Sequence, residues 1–181
     1  MIRALNLDRR YNDTKEEYIS YLDDIMERQV PCNGYYTSLV EDSLQNITGR
    51  KHALLTNTGS IALLLSLFVN KIGKGDEIIT TNYSSPASLA YILVAGATPI
   101  FCDVDHTGNM IVDTLESLLT DNTKAIVGTG LYGDMYNHTV ISSFAIKHSL
   151  VYINDAAQSM FSKWEGKDSL ACGDIVAMSH A

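Results

Sequence analysis

The chain has 181 residues, 46% of them hydrophobic, and 13 basic against 21 acidic side chains give a formal net charge of −8. That length suits one domain with a short appendage, and the apolar content suffices for a real core. The acidic balance, with no basic run, argues against a nucleic-acid or polyanion partner. The longest apolar run, Ile61 to Val69, is interrupted by Ser66 and is too short to span a bilayer.

In chain order, Met1 to Arg10 carries charges throughout and has no apolar signal region. Residues 14–29 place Tyr18, Ile19, Leu22, Ile25 and Met26 at helical spacing, with Thr14 as the cap, Glu17 three residues on, and Pro31 as the stop. Asn33-Gly34 makes a turn, and a second helix covers Thr37 to Ile47 before Gly49. His52 to Thr56 reads as a short strand, and Asn57-Thr58-Gly59-Ser60 joins it to an apolar helix, Ile61–Ile72.

A regular alternation follows. Strand Glu77–Thr81 leads to helix Ala87–Ala95, then strand Thr98–Cys102, a helix near Val112–Leu119 and strand Lys124–Gly128. Helix Thr139–His148, strand Leu150–Asn154, a hairpin around Lys163–Lys167 and a strand within Asp174–Met178 complete the series. Strands alternating with helices of about ten residues mean βαβ units. The predicted class is α/β, a mostly parallel sheet with helices on both faces. The chain reaches Ser179-His180-Ala181 straight after a predicted strand, with no helix to cover it, so further sequence is expected.

Two stretches carry candidate chemistry. Val151-Tyr152-Ile153-Asn154 is a buried strand running into Asp155-Ala156-Ala157-Gln158-Ser159. In open α/β sheets ligands sit beyond the carboxyl ends of strands, where Asp155 and Gln158 emerge. Two alanines leave room for a flat ring, and an acid there can keep a heterocyclic nitrogen protonated, as pyridoxal phosphate requires. Equally, Asp155 could simply cap the next segment.

The second stretch is Thr58-Gly59-Ser60, where a strand meets a helix whose open N–H groups and dipole suit a phosphate. Thr58 or Ser60 could instead merely cap the helix. No lysine-containing phosphate loop or dinucleotide fingerprint is present, so a phosphate would belong to a smaller cofactor.

Other groups point elsewhere. Asp103, Asp105 and His106 read as strand-end and turn residues rather than metal ligands. Ser84-Ser85 has no partnered histidine, and the five histidines show no zinc spacing. Trp164 is a hairpin packing residue. Cys32, Cys102 and Cys172 are odd in number and widely spaced, which points to a reducing cytoplasm.

From about residue 30 onward the sequence resembles the DegT/DnrJ/EryC1/StrS family of pyridoxal-phosphate-dependent sugar aminotransferases, proteins of the aspartate-aminotransferase fold type. The likeness rests on several short motifs in order. They are Gly59-Ser60-Ile61-Ala62-Leu63, Gly75-Asp76-Glu77-Ile78-Ile79, Gly96-Ala97-Thr98-Pro99-Ile100-Phe101 with Asp103-Val104-Asp105, and Leu131-Tyr132-Gly133. Asp155-Ala156-Ala157-Gln158, Glu165-Gly166-Lys167 and Gly173-Asp174-Ile175 leading to Ser179 extend the series.

The resemblance implies pyridoxal phosphate as cofactor. Gly59 and Ser60 would hold its phosphate with Ser179 adding a contact. Asp155 would pair with the pyridine nitrogen, and Gln158 would face the phenolic oxygen. Ser85 stands where the family has a ring-stacking aromatic, and Tyr83, two residues earlier, is the candidate substitute. The family's Schiff-base lysine is expected beyond Ala181. Lys163 and Lys167 lie in the hairpin, and His180 is at the wrong spacing to replace that lysine.

The implied division is an N-terminal helical segment, 1–30, and a cofactor-binding large domain, 31–181, incomplete at its end, with the C-terminal small domain absent. The implied reaction moves an amino group, usually from glutamate, to a nucleotide-linked keto-sugar in a cytoplasmic homodimer. On this reading the chain is an N-terminal fragment, inactive alone. The alternative is a non-catalytic truncated paralogue that binds cofactor weakly or pairs with a full-length subunit. A generic nucleotide-binding α/β domain is the third reading, and it gives Asp155 no special importance.

Overall fold

A computed structural model describes residues 7–30 and 32–179. Pro31 and His180 lie outside them, as do Met1 to Asn6 and Ala181. The first helix, α1, runs Leu7–Arg28 and α2 runs Tyr35–Thr48. The sequence placed the first helix start at Thr14. Instead, the Thr14 hydroxyl donates to Arg10 O at 2.8 Å, inside a helix already under way. Its extra turns are polar and exposed, so apolar periodicity could not mark them. Tyr21 and Tyr36 meet edge to face, with centroids 5.4 Å apart, where α1 touches α2.

Residues 52–56 form no strand, which corrects the sequence expectation. The apolar run His52-Ala53-Leu54-Leu55-Thr56 is extended but unpaired. Leu55 spends its N–H on the Glu41 carboxylate, at 2.8 Å, and Leu54 is exposed. A short apolar run cannot by itself separate a paired strand from such a segment.

The βαβ series follows as expected. It comprises α3 (Gly59–Val69), β1 (Glu77–Thr81), α4 (Ala87–Ala95), β2 (Thr98–Cys102), a 3-10 turn at Val112–Thr114 leading into α5 (Leu115–Leu118), and β3 (Thr123–Thr129). Then come α6 (His138–His148), β4 (Val151–Asp155), the short strands β5 (Lys163–Trp164) and β6 (Lys167–Asp168), and β7 (Ile175–Ala177). Five strands pair in parallel in the order β2-β1-β3-β4-β7, and β5-β6 is a separate antiparallel hairpin. The hairpin turns through Glu165 and Gly166, both at positive φ, 49° and 80°, and the Trp164 indole N–H donates to the Thr139 hydroxyl at 3.0 Å.

Successive strand residues face opposite sides, so each strand feeds two cores. Ile78, Val127 and Ile153 pack beneath α3 and α4 with Leu63, Leu67, Tyr91 and Ile92. Ile79, Ile126 and Tyr152 pack on the other side with Leu115, Ile141 and Phe144. A sheet covered on both faces is why its strands read as nearly continuous apolar runs. Among the described residues no helix is long and apolar enough to cross a membrane.

Candidate functional site

The end of β4 is where buried apolar backbone gives way to polar side chains. Asn154 faces the second core, accepts from the Tyr136 hydroxyl at 2.7 Å and donates to Ser169 O at 2.8 Å. Behind it the Tyr152 hydroxyl donates to that of Tyr136 at 2.7 Å and lies 2.8 Å from His138 Nδ1. This satisfied polar chain fixes the strand end from one side. Burial pushes the His138 imidazole below its ordinary range.

Asp155 points the other way, at 3% exposure, into a cavity of about 760 Å³. Its carboxylate accepts from the Ser88 hydroxyl at 3.0 Å and from Ala157 N–H at 3.2 Å. Burial raises its pKa, and those two donors partly offset the rise. No cation faces it among the described residues, so a positively charged ring nitrogen would relieve an existing desolvation cost.

The opposite wall is the start of α3. Thr58 is its cap, accepting Ile61 N–H on Oγ1 at 3.2 Å, while Thr58 O takes the Ile61 and Ala62 N–H groups. Ser60 is therefore not the cap. The first-turn N–H groups of Gly59 and Ser60 have no carbonyl behind them in the helix, and the Ser60 hydroxyl has no partner among the described residues.

Gly59 sits at a close approach. A Cβ there would lie 3.2 Å from both Met178 O and Ser179 Cβ. The chain leaving β7 thus brings Ser179 against the α3 N-terminus. Ala157, Ala177 and Val176 line the space between the walls, together with Ser85, Ser88 and Gln158. No lysine or arginine lines this cavity among the described residues.

Gln158 and Ser85 also line a second, smaller cavity of about 290 Å³ with Tyr83, Leu131 and Tyr132. Gln158 Oε1 accepts Tyr132 N–H at 3.2 Å. Ser85 Oγ accepts Ala87 N–H at 3.3 Å at the start of α4. Tyr83 is half exposed and packs over Gly108, where a Cβ would lie 2.8 Å from its ring. It lines the second cavity and not the first.

Six of the seven residues singled out from sequence therefore meet at one cavity: Gly59, Ser60, Ser85, Asp155, Gln158 and Ser179. Asp105 is engaged in its own turn, accepting from Thr107 N–H at 2.8 Å and Asn109 N–H at 3.2 Å. No cluster of three potential metal ligands occurs among the described residues.

Two residues escaped the sequence reading. Ser88 is one, although its spacing from Ser84 on a helical turn could have flagged it. Arg50 is the other. Its guanidinium donates to Leu170 O at 2.7 Å, Cys172 O at 2.8 Å, Gly173 O at 2.9 Å and Asp174 O at 3.2 Å, pinning the loop before β7. Nothing local in the sequence marks it.

A buried acid and an open helix N-terminus lining one cavity suit a phosphorylated heterocycle with a basic ring nitrogen. Comparison with known proteins points the same way. The profile of the DegT/DnrJ/EryC1/StrS aminotransferase family matches residues 12–181. A pleiotropic regulatory protein of Geobacillus stearothermophilus is 35% identical over 92% of this chain and 45% of its own length. GDP-perosamine synthase of Caulobacter vibrioides is 37% identical over 77% of this chain and 38% of its own. The chain thus spans less than half the length of either relative.

Among solved structures, a DegT DnrJ EryC1 StrS aminotransferase from Brucella abortus superposes with a TM-score of 0.91 at 24% identity, over 98% of this chain and 50% of that one. That likeness shows the fold. NtdA of Bacillus subtilis with bound cofactor PMP superposes at 0.83 and 27% identity, over 88% of this chain and 37% of its own.

Proposed function

The chain belongs to the DegT/DnrJ/EryC1/StrS aminotransferase family, and on that premise we propose that its residues 31–181 hold pyridoxal phosphate for transfer of an amino group to a nucleotide-linked keto-sugar. The observation that carries this reading is the pairing, across one cavity, of buried Asp155 with the open start of α3. The PMP-bound neighbour and the GDP-perosamine synthase relative support the cofactor class and the substrate class respectively.

The chemistry supplied by pyridoxal phosphate is that of an electron sink, and it depends on a protonated ring nitrogen. Asp155 holds that proton in place through an ion pair made strong by burial. The N–H groups of Gly59 and Ser60, with the Ser60 and Ser179 hydroxyls, take the phosphate without any basic side chain. Gln158 faces the phenolic-oxygen edge. Ser85 borders the ring face and leaves it less covered than an aromatic residue would, while Tyr83 closes the adjoining space. The amine that anchors the aldehyde comes from outside residues 1–181, a reading supported by a lining that holds no lysine among the described residues.

The intact protein on this reading is a homodimer using glutamate as amino donor, and three unpaired cysteines suit a reducing cytoplasm. Calorimetric titration of the 181-residue chain with pyridoxal 5′-phosphate tests the site. Binding should weaken at least about tenfold in Asp155→Ala, the scale of one lost charge-assisted contact. Equal affinity overturns the assignment. Borohydride reduction followed by intact mass should leave no specific adduct, and a single adduct on one chain lysine overturns the external anchor.

A further inference from the structure

We propose that Ser88, backed by Ser84, is the positioning residue for Asp155; this rests on the reading of Asp155 as the ring-nitrogen partner. The Ser84 hydroxyl donates to Ser88 Oγ at 3.0 Å, and Ser88 in turn donates to Asp155 Oδ2 at 3.0 Å. The two serines are four residues apart. Ser84 lies in the loop after β1 and Ser88 in the first turn of α4, and the loop entering the helix brings one hydroxyl against the other.

The direction of this relay matters. A serine hydroxyl has one proton and can accept from two donors. Ser84 fills an acceptor site on Ser88, which orients the single Ser88 proton toward Asp155. Ser88 is 4% exposed and Asp155 3%, so the contact is largely shielded from bulk water. Chained hydrogen bonds of this kind polarise one another in a low-dielectric setting.

Among the described residues no other side chain shares the task. Tyr91 lies one turn further along α4, buried at 3% exposure, but its hydroxyl has no hydrogen-bond partner. The second donor to Asp155 is the backbone N–H of Ala157, not a side chain. Ser88 is thus the only side chain among the described residues that fixes the rotation of the carboxylate. It leaves the other edge of that carboxylate, with its remaining lone pairs, to face the cavity. Ser84 lines the neighbouring cavity, so the relay links the two spaces.

The test compares two ligands that cannot form an adduct with an amine: pyridoxine 5′-phosphate, and its analogue with the ring nitrogen replaced by CH. The wild-type chain should prefer the nitrogen ring. Ser88→Ala should reduce that preference roughly ten- to a hundredfold, as expected for one lost hydrogen bond to a charged group. Ser88→Thr, which keeps the hydroxyl, should restore it.

Ser84→Ala, which touches only a half-buried hydroxyl, should give a smaller loss of the same preference and carries the test if Ser88→Ala does not fold. A Ser88→Ala chain that binds both ligands more weakly by the same factor overturns the proposal, because a general loosening acts that way. So does an unchanged preference. If Asp155→Ala retains the nitrogen preference, the underlying reading has failed. If only the Asp155 variant loses it, the reading stands and the role of Ser88 is refuted.

Discussion

Gly59 and Ser179, 120 residues apart in the chain, meet in the wall of the cavity, where a Cβ on Gly59 would lie 3.2 Å from Ser179 Cβ. On the proposed reading, Gly59 brings the first N–H groups of α3 and Ser179 a hydroxyl to one phosphate, and neither would hold it alone.

Gly59→Ala follows directly from this contact. Alanine suits a helix at least as well as glycine, so the melting temperature should hold within a few degrees. The added methyl forces Ser179 and Met178 back by a few tenths of an ångström. Affinity for a phosphorylated ring should fall several-fold, measured by calorimetry, while affinity for unphosphorylated pyridoxine changes little. An equal loss for both ligands contradicts the phosphate assignment.

Asp155 gives a pH signature in the ligand-free chain. Burial raises its folded-state pKa, so the folded chain keeps that proton to higher pH than the unfolded chain does. Stability linked to this group is fullest below the unfolded pKa of about 3.9 and is lost as pH rises through the folded-state value. Asp155→Asn removes the loss. Its melting temperature should gain on the wild type as pH rises toward neutrality, then level off, at the expense of ring-nitrogen pairing. A difference that stays constant with pH would show that the carboxyl is not burdened by burial.

Arg50 holds four carbonyls of residues 170–174. Arg50→Ala should cost about 3 kcal/mol in a urea melt, given roughly 1.5–3 kcal/mol for each hydrogen bond to a charged group and strong non-additivity among them. Arg50→Lys should recover little, because a point charge cannot reproduce the planar fork. Full recovery by lysine would mean charge alone matters there.

On the proposed reading, Ser85 leaves one side of the ring without an aromatic cover. Ser85→Tyr should tighten pyridoxal phosphate binding by up to about tenfold, the scale of about 0.5–1.5 kcal/mol for an added aromatic contact. Weaker binding would mean that the second cavity, shared by Ser85, Tyr83 and Gln158, already positions the ring.

The sheet was legible because its inner strands are short apolar runs bounded by turns, and β1, α4 and β2 fall on their predicted bounds. The cavity lining was legible where residues sit at a strand end or a helix start, as with Asp155, Gly59 and Ser60. What stayed hidden depends on tertiary partners. The contact of Ser88 with Asp155 spans 67 residues and that of Arg50 with Leu170 spans 120, so neither pairing could be read locally. The apolar residues 52–56 misled because pairing depends on a neighbouring strand, which local sequence does not reveal. The early start of α1 was missed because its first turns carry no apolar face, only exposed local contacts such as Arg9 with Asp13 at 4.0 Å.

The most direct test of the central claim is the ¹⁵N resonance of ring-labelled pyridoxal 5′-phosphate bound to the 181-residue chain at pH 8, against the same ligand with Asp155→Ala. A buried carboxylate partner should hold the bound nitrogen protonated in the wild type, far from the free ligand's shift, and the variant should return it to the unprotonated position. An unprotonated resonance in the bound wild type, or a protonated one that survives the loss of Asp155, would contradict the account.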